Sequence, residues 1–236
     1  MNLNLPAPPP NDSSACLLEW IGDWGVMARC SDEDSAARWA AAVRQAAPPW
    51  LLDVVQAYTT VAVYFQRESV DPETVWRWLE TVTPADAQTA LGRTYIIPVC
   101  YELGPDLDTV ARHTGLSVDG VVQLHTAQPY RVYAIGFCPG FPYLGYLPER
   151  LSGIPRRDSP RLRVEPGSVG LTGRQTGIYT EPRPGGWALI GQTPLILVDV
   201  AAEYFPLRTG DCVQFVAIDR ASFRSLKGQR LEPAPV

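Results

Sequence analysis

The stretch of sequence that decides the fold of the second half of the chain is 136–194, which reads GFCPGFPYLGYLPERLSGIPRRDSPRLRVEPGSVGLTGRQTGIYTEPRPGGWALIGQTP. Of its 59 residues, 20 are Gly or Pro, about a third, whereas average proteins contain roughly 12% of the two together. Short apolar runs lie between these turn residues, and this alternation predicts a mostly antiparallel β-barrel or sandwich with irregular loops. A strand at 93–101, in which Pro98 belongs at an edge or bulge, and helices at 106–113 and 118–125 are expected before it.

The first part of the chain predicts a different architecture, in which pairs of strands alternate with helices. Strands are expected at 17–21, 26–30, 51–57 and 60–65. Ser31 is expected to cap a helix that ends before Pro48 and Pro49, and Asp71 with Pro72 to open a second helix. This order predicts a small α+β layer sandwich. We therefore divide the chain into a flexible Pro-rich lead (1–14), an α+β sandwich domain (15–90), a β-barrel domain (91–225) and a tail (226–236).

Composition and charge argue against several classes of protein. The chain has 236 residues, a formal net charge of −5 and a sequence pI near 5.1, which disfavours nucleic-acid binding because that needs an excess of Lys and Arg. No apolar run approaches the roughly 20 residues that span a bilayer, so no membrane association is expected. The N-terminus has no signal-peptide pattern. The scattered cysteines and two histidines form no metal motif, so we predict no metal site, free thiols and a cytoplasmic location.

The basic residues are almost all arginine. Of the 20 basic residues, only Lys227 is lysine. A Walker P-loop, a Schiff-base lysine, a biotinyl lysine and a Ser/Lys amidase system would each have to use Lys227, which lies in a polar C-terminal stretch. None of these four chemistries is therefore expected.

An excess of arginine distinguishes the Gly- and Pro-rich stretch from the rest of the chain. Seven arginines lie between positions 150 and 183 against three acidic residues, although the whole chain is negatively charged. The planar guanidinium group suits bidentate binding of carboxylate or phosphate. Arg156 and Arg157 are therefore candidate ligands of an anion, while a solvated surface with ion pairs remains the alternative interpretation.

Glycines recur every three residues in the same stretch, at Gly167, Gly170 and Gly173. They could form a main-chain nest for an anion, or they could fit bulges and tight barrel corners. Gln175 and Thr176 follow as polar groups that could orient an amide or a carboxylate, or cap neighbouring turns.

The ten residues that begin at Phe137, FCPGFPYLGY, combine four aromatic residues with two prolines and two glycines. Phe137, Pro139, Phe141 and Tyr143 are expected to form a rigid apolar wall, either of a pocket or of a subunit contact, unless the loop covers the core of its own barrel. His125 is the candidate general acid or base because histidine titrates near neutral pH, with a structural role as the alternative.

The motifs of this stretch, taken in order, resemble those of a known family. They are 136–145 (GFCPGFPYLG), 155–157 (PRR), 167–170 (GSVG), 175–179 (QTGIY), 184–187 (PGGW) and 190–195 (IGQTPL). This set resembles the allophanate hydrolase subunit 1 family, which includes the B subunit of bacterial 5-oxoprolinase and the sporulation-kinase inhibitor KipI. The resemblance extends more loosely over 21–23 and 54–64, so it spans nearly the whole chain after the lead.

The resemblance implies an α+β N-terminal domain followed by a cyclophilin-like, mostly antiparallel β-barrel domain. The implied activity is ATP-dependent opening of 5-oxo-L-proline to L-glutamate, with ATP as co-substrate, Mg implied and no bound prosthetic group. A lactam is a poor electrophile, so phosphorylation of its amide oxygen would create a leaving group before water attacks. The implied partners are a C-type subunit of the allophanate hydrolase subunit 2 family and an A-type subunit. The alternative is a KipI-like regulatory protein that inhibits a sensor histidine kinase by docking the aromatic loop.

The residue patterns and the resemblance together give a set of predicted site residues. The expected ligands of the substrate or an anion are Arg156, Arg157, Ser168, Gln175, Thr176 and Tyr179. The expected pocket wall or partner contact is formed by Phe137, Pro139, Phe141, Tyr143 and Trp187. His125 is the predicted acid or base. Residues 101–107 (YELGPDL) are shorter than the usual family pattern and lack a Gly-Gly pair, which leaves open whether the substrate is this lactam or another amide.

Overall fold

The structure is a computed structural model that describes residues 16–83 and 92–234. The chain divides into two compact units, Met1–Ala90 and Leu91–Val236, and each has its own hydrophobic core. The predicted Pro-rich lead at 1–14 and the predicted domain boundary at 90 lie outside the described residues.

The described residues of the first unit form four strands and two helices. In chain order these are β1 (Cys16–Trp20), β2 (Gly25–Cys30), α1 (Glu33–Ala46), β3 (Leu51–Ala57), β4 (Thr60–Phe65) and α2 (Pro72–Glu80). The strands pair antiparallel in the order β1-β2-β4-β3. Trp39 and Val43 of α1 and Val75 and Leu79 of α2 are buried in one core with the inward residues of the strands. The order of strands and helices is the one that the apolar periodicity predicted.

Helix α1 begins one residue later than the sequence pattern indicated. Its N-cap is Asp32 rather than Ser31, because the Asp32 carboxylate accepts a 2.7 Å hydrogen bond from the Ser35 amide. The Ser31 hydroxyl donates to the same carboxylate at 2.8 Å. A carboxylate is favoured at the positive end of a helix, so the cap falls to the acidic residue.

Two of the five cysteines are joined in the first unit. Cys16 on β1 and Cys30 on β2 are direct cross-strand partners and form a disulfide. The expectation of free thiols is therefore wrong for this pair, whereas Cys100, Cys138 and Cys212 are free. The two residues flank a strand-turn-strand segment, and only the register of that hairpin brings them together.

The second unit contains nine strands and three helices among its described residues. In chain order these are β5 (Thr94–Val99), α3 (Leu107–Thr114), α4 (Val118–Thr126), β6 (Tyr130–Ile135), β7 (Pro142–Gly145), β8 (Arg161–Val164), β9 (Ser168–Thr172), β10 (Gln175–Ile178), β11 (Arg183–Gly185), β12 (Ala188–Gln192), β13 (Cys212–Ala217) and α5 (Arg220–Leu226). Seven of the strands form one sheet in the order β12-β9-β10-β7-β6-β13-β5, and β8 pairs with β11. Helix α3 packs on β12, and α4 packs on β13.

The seven-stranded sheet is nearly closed into a barrel. Just beyond β5, the backbone of Cys100 pairs with Gln192 of β12 through two hydrogen bonds of 2.9 and 3.1 Å, so the two edge strands meet. Neighbouring strands are antiparallel except for β13 and β5, which are parallel. Pro98 lies on β5, at the end of the strand order, because proline cannot donate to a second neighbouring strand. The mixed α and β class and the mostly antiparallel barrel thus agree with the prediction.

The segment predicted to be a tail, 226–236, packs on the second unit as far as it is described. Leu231 is buried in the barrel core, and its amide donates to the Ile196 carbonyl at 3.1 Å. Pro233 forms a bridge with Tyr95 of β5. Burial of the apolar Leu231 side chain stabilises the packing of this segment on the barrel.

Candidate functional site

Five aromatic side chains of the second unit surround a cavity of about 230 Å³. We call this group the aromatic cup; it consists of Phe137, Phe141, Tyr143, Tyr179 and Trp187. The Phe141 ring packs edge to face against the rings of Tyr143, Tyr179 and Trp187, with centroid distances of 5.0, 5.3 and 5.5 Å. Phe141, Tyr179 and Trp187 are buried, while Phe137 is 57% exposed and forms the lip.

The cup is brought together by loops at the ends of strands. Phe137 and Phe141 lie in the turn between β6 and β7, Tyr179 directly follows β10, and Trp187 precedes β12. Pro139, the remaining predicted wall residue, is exposed and does not line the cavity. Its carbonyl instead accepts a 2.7 Å hydrogen bond from the Thr180 hydroxyl.

Two glycines allow the rings to approach the backbone. A Cβ at Gly177 of β10 would lie 2.9 Å from the rings of both Phe141 and Trp187. A Cβ at Gly185 of β11 would overlap the Tyr179 hydroxyl. Any side chain at either position would therefore displace an aromatic ring, so the cup depends on glycine at both.

Arg156 is the one charged residue in the lining of the cup. Within the part of the chain that the structure describes, its guanidinium makes no hydrogen bond or ion pair. Burial raises the pKa of the Tyr143 and Tyr179 phenols, and the Arg156 charge acts in the opposite direction on both. The phenols therefore stay protonated at neutral pH, and the cup combines apolar walls with a single uncompensated positive charge.

Asp106, which precedes α3, connects three segments around the cup. One carboxylate oxygen accepts from the Leu189 amide at 2.7 Å. The other accepts from Arg161 at 2.7 Å and from Arg157 at 3.2 Å. The Arg157 amide donates to the Gly186 carbonyl at 2.8 Å. The start of α3, the loop before β8 and the strand after Trp187 are thus fixed to one another through a single buried carboxylate.

Asp106 was not among the predicted site residues, because an acidic residue before a helix is typical of an N-cap. Asp106 does occupy the N-cap position of α3, but its side chain makes no capping hydrogen bond. Nothing in the local sequence indicates that Arg157 and Arg161, more than 50 residues later, share it.

A second cavity, of about 250 Å³, lies between α3 and the loop before β8. Its lining includes Thr109 and His113 of α3 together with Arg156, Arg157 and Asp158. Arg156 therefore lines both this cavity and the aromatic cup. Arg157, by contrast, forms an ion pair with Asp106. Of the two predicted anion ligands, Arg156 is therefore the one whose guanidinium is free to bind an anion.

His125 lies inside the barrel and has no exposed surface. Its Nε2 is 3.0 Å from the Thr176 hydroxyl, and its Nδ1 is 2.7 Å from the Tyr101 hydroxyl. Because Thr176 also donates to the Gly170 carbonyl, Nε2 is the donor to Thr176, and Nδ1 accepts from Tyr101. Burial lowers the pKa of His125 to about 3. The ring is a neutral core residue that cannot reach a substrate, so the expected acid or base role does not fit this structure.

Three other predicted ligands also lie away from the cup. Thr176 is fully buried beside His125, and Ser168 is buried in β9. Gln175 begins β10 opposite Gly145 and Thr172. Of the predicted ligand set, Arg156 and Tyr179 are the two that line the cup.

The glycines expected to form an anion nest lie in or beside β9. This strand pairs with β10 on one side and β12 on the other, which occupies the backbone around Gly170. A Cβ at Gly170 would lie 3.1 Å from Cβ of Trp187. Close packing in the sheet therefore accounts for Gly170, and a nest does not.

The seven arginines between positions 150 and 183 do not converge on one site. Two pair with nearby glutamates and a third lies over a tyrosine ring: Arg163 with Glu165, Arg183 with Glu181, and Arg174 over Tyr146. Only Arg156, Arg157 and Arg161 gather around the cup and Asp106. The alternative interpretation of a solvated surface with ion pairs is therefore correct for part of the set.

The described residues contain neither a cluster of metal ligands nor a membrane-spanning helix. No three His, Cys, Asp or Glu side chains within residues 16–83 and 92–234 are grouped so that they could hold a metal ion. In the same residues, no helix has the length and apolar character that crossing a membrane requires.

The second unit is a nearly closed barrel with an aromatic cup at its strand ends, and a family match specifies the class of protein. Residues 15–207 match the model described as carboxyltransferase domain, subdomain C and D, so the chain belongs to this family. It is similar to the B subunit of 5-oxoprolinase from Bacillus subtilis (strain 168), with 37% identity over 233 residues that cover 89% of this chain and 96% of the relative. The B subunit of 5-oxoprolinase from Escherichia coli O157:H7 is 43% identical over 182 residues, which cover 75% and 83%. The predicted family resemblance is confirmed.

A solved structure has the same fold. The crystal structure of TTHA0988 matches with a TM-score of 0.73 and 35% identity, covering 90% of this chain and 41% of that chain. This chain thus spans about two fifths of the length of that protein.

Proposed function

We propose that the chain is the B subunit of an ATP-dependent 5-oxoprolinase and that its aromatic cup binds 5-oxo-L-proline. The names of the relatives support the subunit assignment and do not favour the kinase-inhibitor alternative. The observation that carries the binding proposal is Arg156, an unpaired guanidinium at an aromatic cavity of about 230 Å³ without a carboxylate in its lining.

The chemistry of the lactam matches the cup. 5-Oxo-L-proline is a small five-membered ring that carries one carboxylate. The faces and edges of Phe141 and Trp187 would pack against the ring, and the Arg156 fork would bind the carboxylate in two hydrogen bonds. Tyr143 and Tyr179 line the same cavity, and their hydroxyls would be the groups that bond to the ring amide. Pockets for drug-sized ligands measure about 300–1,000 Å³, so this smaller cavity suits a single ring.

The cup residues alone do not fit ATP with Mg. Phosphates need several free cationic donors, whereas the lining offers one free guanidinium, and Mg needs carboxylate oxygens that the lining lacks. We therefore derive no step through ATP from this chain and assign nucleotide binding to the assembled enzyme.

The assembly is part of the same proposal. The partners would be a C-type subunit of the allophanate hydrolase subunit 2 family and an A-type subunit, in the cytoplasm. The match to about two fifths of TTHA0988 supports a site that further polypeptide completes. The second unit would be a cyclophilin-like barrel whose loops around the cup face that partner.

The test compares Arg156→Gln with the parent in the enzyme reconstituted from all three subunits, with glutamate release as the assay. A hydrogen bond between charged groups contributes about 1.5–3 kcal/mol, so the KM for 5-oxo-L-proline should rise at least about tenfold. Pyrrolidin-2-one, the lactam without the carboxylate, should inhibit both enzymes equally.

Arg150→Gln is the matched control, because Arg150 is exposed and lines neither the aromatic cup nor the cavity beside α3. Its KM should equal that of the parent. An unchanged KM in Arg156→Gln, or an equal rise in Arg150→Gln, would overturn the assignment of the cup.

A further inference from the structure

A third cavity of the second unit measures about 540 Å³, more than twice the volume of the aromatic cup. It lies between the end of α5 and the segment 192–200, which begins with the last residue of β12. Tyr179 lines both this cavity and the cup, so its buried ring belongs to both walls. We call this space the Lys227 cavity, after the lysine in its lining that directly follows helix α5.

Most of the lining of the Lys227 cavity is apolar. Leu195, Val198 and Phe223 are half-buried there, and Leu197 is buried. Half-buried apolar side chains around a cavity of this size are typical of a site for a small organic molecule. The apolar lining therefore indicates a ligand with an apolar body.

Most polar side chains in the lining already have partners. Asp199 pairs with Arg230 at 2.9 Å. The Gln192 amide donates to the Pro166 carbonyl at 2.9 Å, and the Thr180 hydroxyl donates to a carbonyl outside the cavity. These groups are held by the protein and give the cavity no net charge.

Lys227 is different, because it is exposed at the rim of the cavity and its ammonium group has no protein partner. The structure records neither a hydrogen bond nor an ion pair for it in the described part of the chain. A lysine just after a helix often bonds to the last carbonyls, but no such bond is present here. Lys227 carried no predicted role because its neighbours in the sequence are polar, yet the fold places this only lysine of the chain beside an apolar cavity.

We infer that the Lys227 cavity binds an organic monoanion, with its carboxylate on Lys227 and its apolar body against Leu195, Val198 and Phe223. One uncompensated ammonium group matches one carboxylate, and the cavity has room for a body larger than the ring proposed for the cup. This inference does not depend on the proposed function, since it uses different residues apart from the shared wall of Tyr179.

The test measures binding of 4-phenylbutyrate to the full-length chain by calorimetry. Its neutral counterpart, 4-phenylbutanol, separates the contribution of charge from that of the apolar body. Lys227→Gln should weaken phenylbutyrate binding by up to about fivefold, since the ion pair of an exposed lysine is worth at most about 1 kcal/mol, and should leave phenylbutanol binding unchanged. Lys227→Arg should restore most of the affinity.

Arg224→Gln is the matched control, because Arg224 is exposed on the same helix and does not line the cavity. It should bind phenylbutyrate like the parent. A second measurement uses the single lysine: acetic anhydride should modify Lys227, and phenylbutyrate should slow that reaction. Equal phenylbutyrate affinity in Lys227→Gln and the parent, absence of phenylbutyrate binding to the parent, or unslowed acetylation would each overturn the inference.

Discussion

Replacing Asp106 with alanine should destabilise the second unit by about 3 kcal/mol. The substitution leaves the buried Leu189 amide without its 2.7 Å acceptor, which costs about 1–3 kcal/mol. It also releases Arg157 and Arg161, whose side chains are 42% and 23% exposed. Because water compensates these partly exposed guanidiniums, we assign about 0.5–1 kcal/mol to each.

The assay is urea unfolding followed by circular dichroism, together with hydrogen exchange of the peptide that contains Leu189. Asp106→Ala should lower the free energy of unfolding and speed exchange at Leu189. Asp106→Asn keeps one carbonyl oxygen that can accept from the Leu189 amide. Its free energy of unfolding should therefore lie between those of Asp106→Ala and the parent. Asp158→Ala removes an exposed carboxylate from the neighbouring cavity and should change stability by less than about 0.5 kcal/mol. If Asp106→Ala and Asp158→Ala are equally stable, the reasoning about the shared carboxylate is wrong.

Two further predictions concern pH and the disulfide. Burial lowers the pKa of His125 from 6.5 to about 3, so between these pH values the unfolded chain binds a proton that the folded chain does not. The free energy of unfolding should therefore fall as the pH drops from 6.5 towards 3, by up to about 1.4 kcal/mol per pH unit. Urea unfolding at pH 4 and at pH 7 measures this loss, which should be smaller in His125→Gln than in the parent. An equal loss of stability in the two proteins would contradict the prediction. Cys30→Ser removes the disulfide, whose cysteines are 14 residues apart, and should cost the first unit about 3 kcal/mol in the chain-entropy estimate, measured by calorimetry. Thiol titration of the unfolded parent should find three thiols before reduction and five after, whereas five before reduction would show that the pair is not joined.

Local sequence patterns predicted the elements of both units because the forces that form them are local. The strand pairs of the first unit follow from apolar alternation and from the turn residues between them. Asp71 followed by Pro72 opens α2 as expected, and the Ser117 hydroxyl caps α4. The Gly- and Pro-rich composition of 136–194 indicated short strands and loops for the same reason.

The candidate site was only partly predictable because it depends on contacts between distant residues. The aromatic residues of the cup could be predicted as a wall, since they crowd into one short loop and two motifs. The burial of His125 could not, because it depends on the Phe215 ring, which stacks on it at 4.5 Å from β13. Asp106 and Lys227 carry no local signal of their roles, since their partners or cavities are formed by segments far away in the chain.

The parallel pairing of β5 with β13 has a consequence for synthesis of the protein. Thr94 is aligned with Cys212, so β5 has to wait for a partner that is synthesised about 120 residues later in the chain. Contacts of such long sequence separation slow folding. Until β13 emerges, the side chains Ile97 and Val99 of β5, which are buried in the folded barrel, are exposed to water, and chaperones would have to shield the nascent chain from aggregation. Synthesis that stalls before Cys212 would leave a polypeptide whose barrel cannot close, because β13 joins β6 to β5.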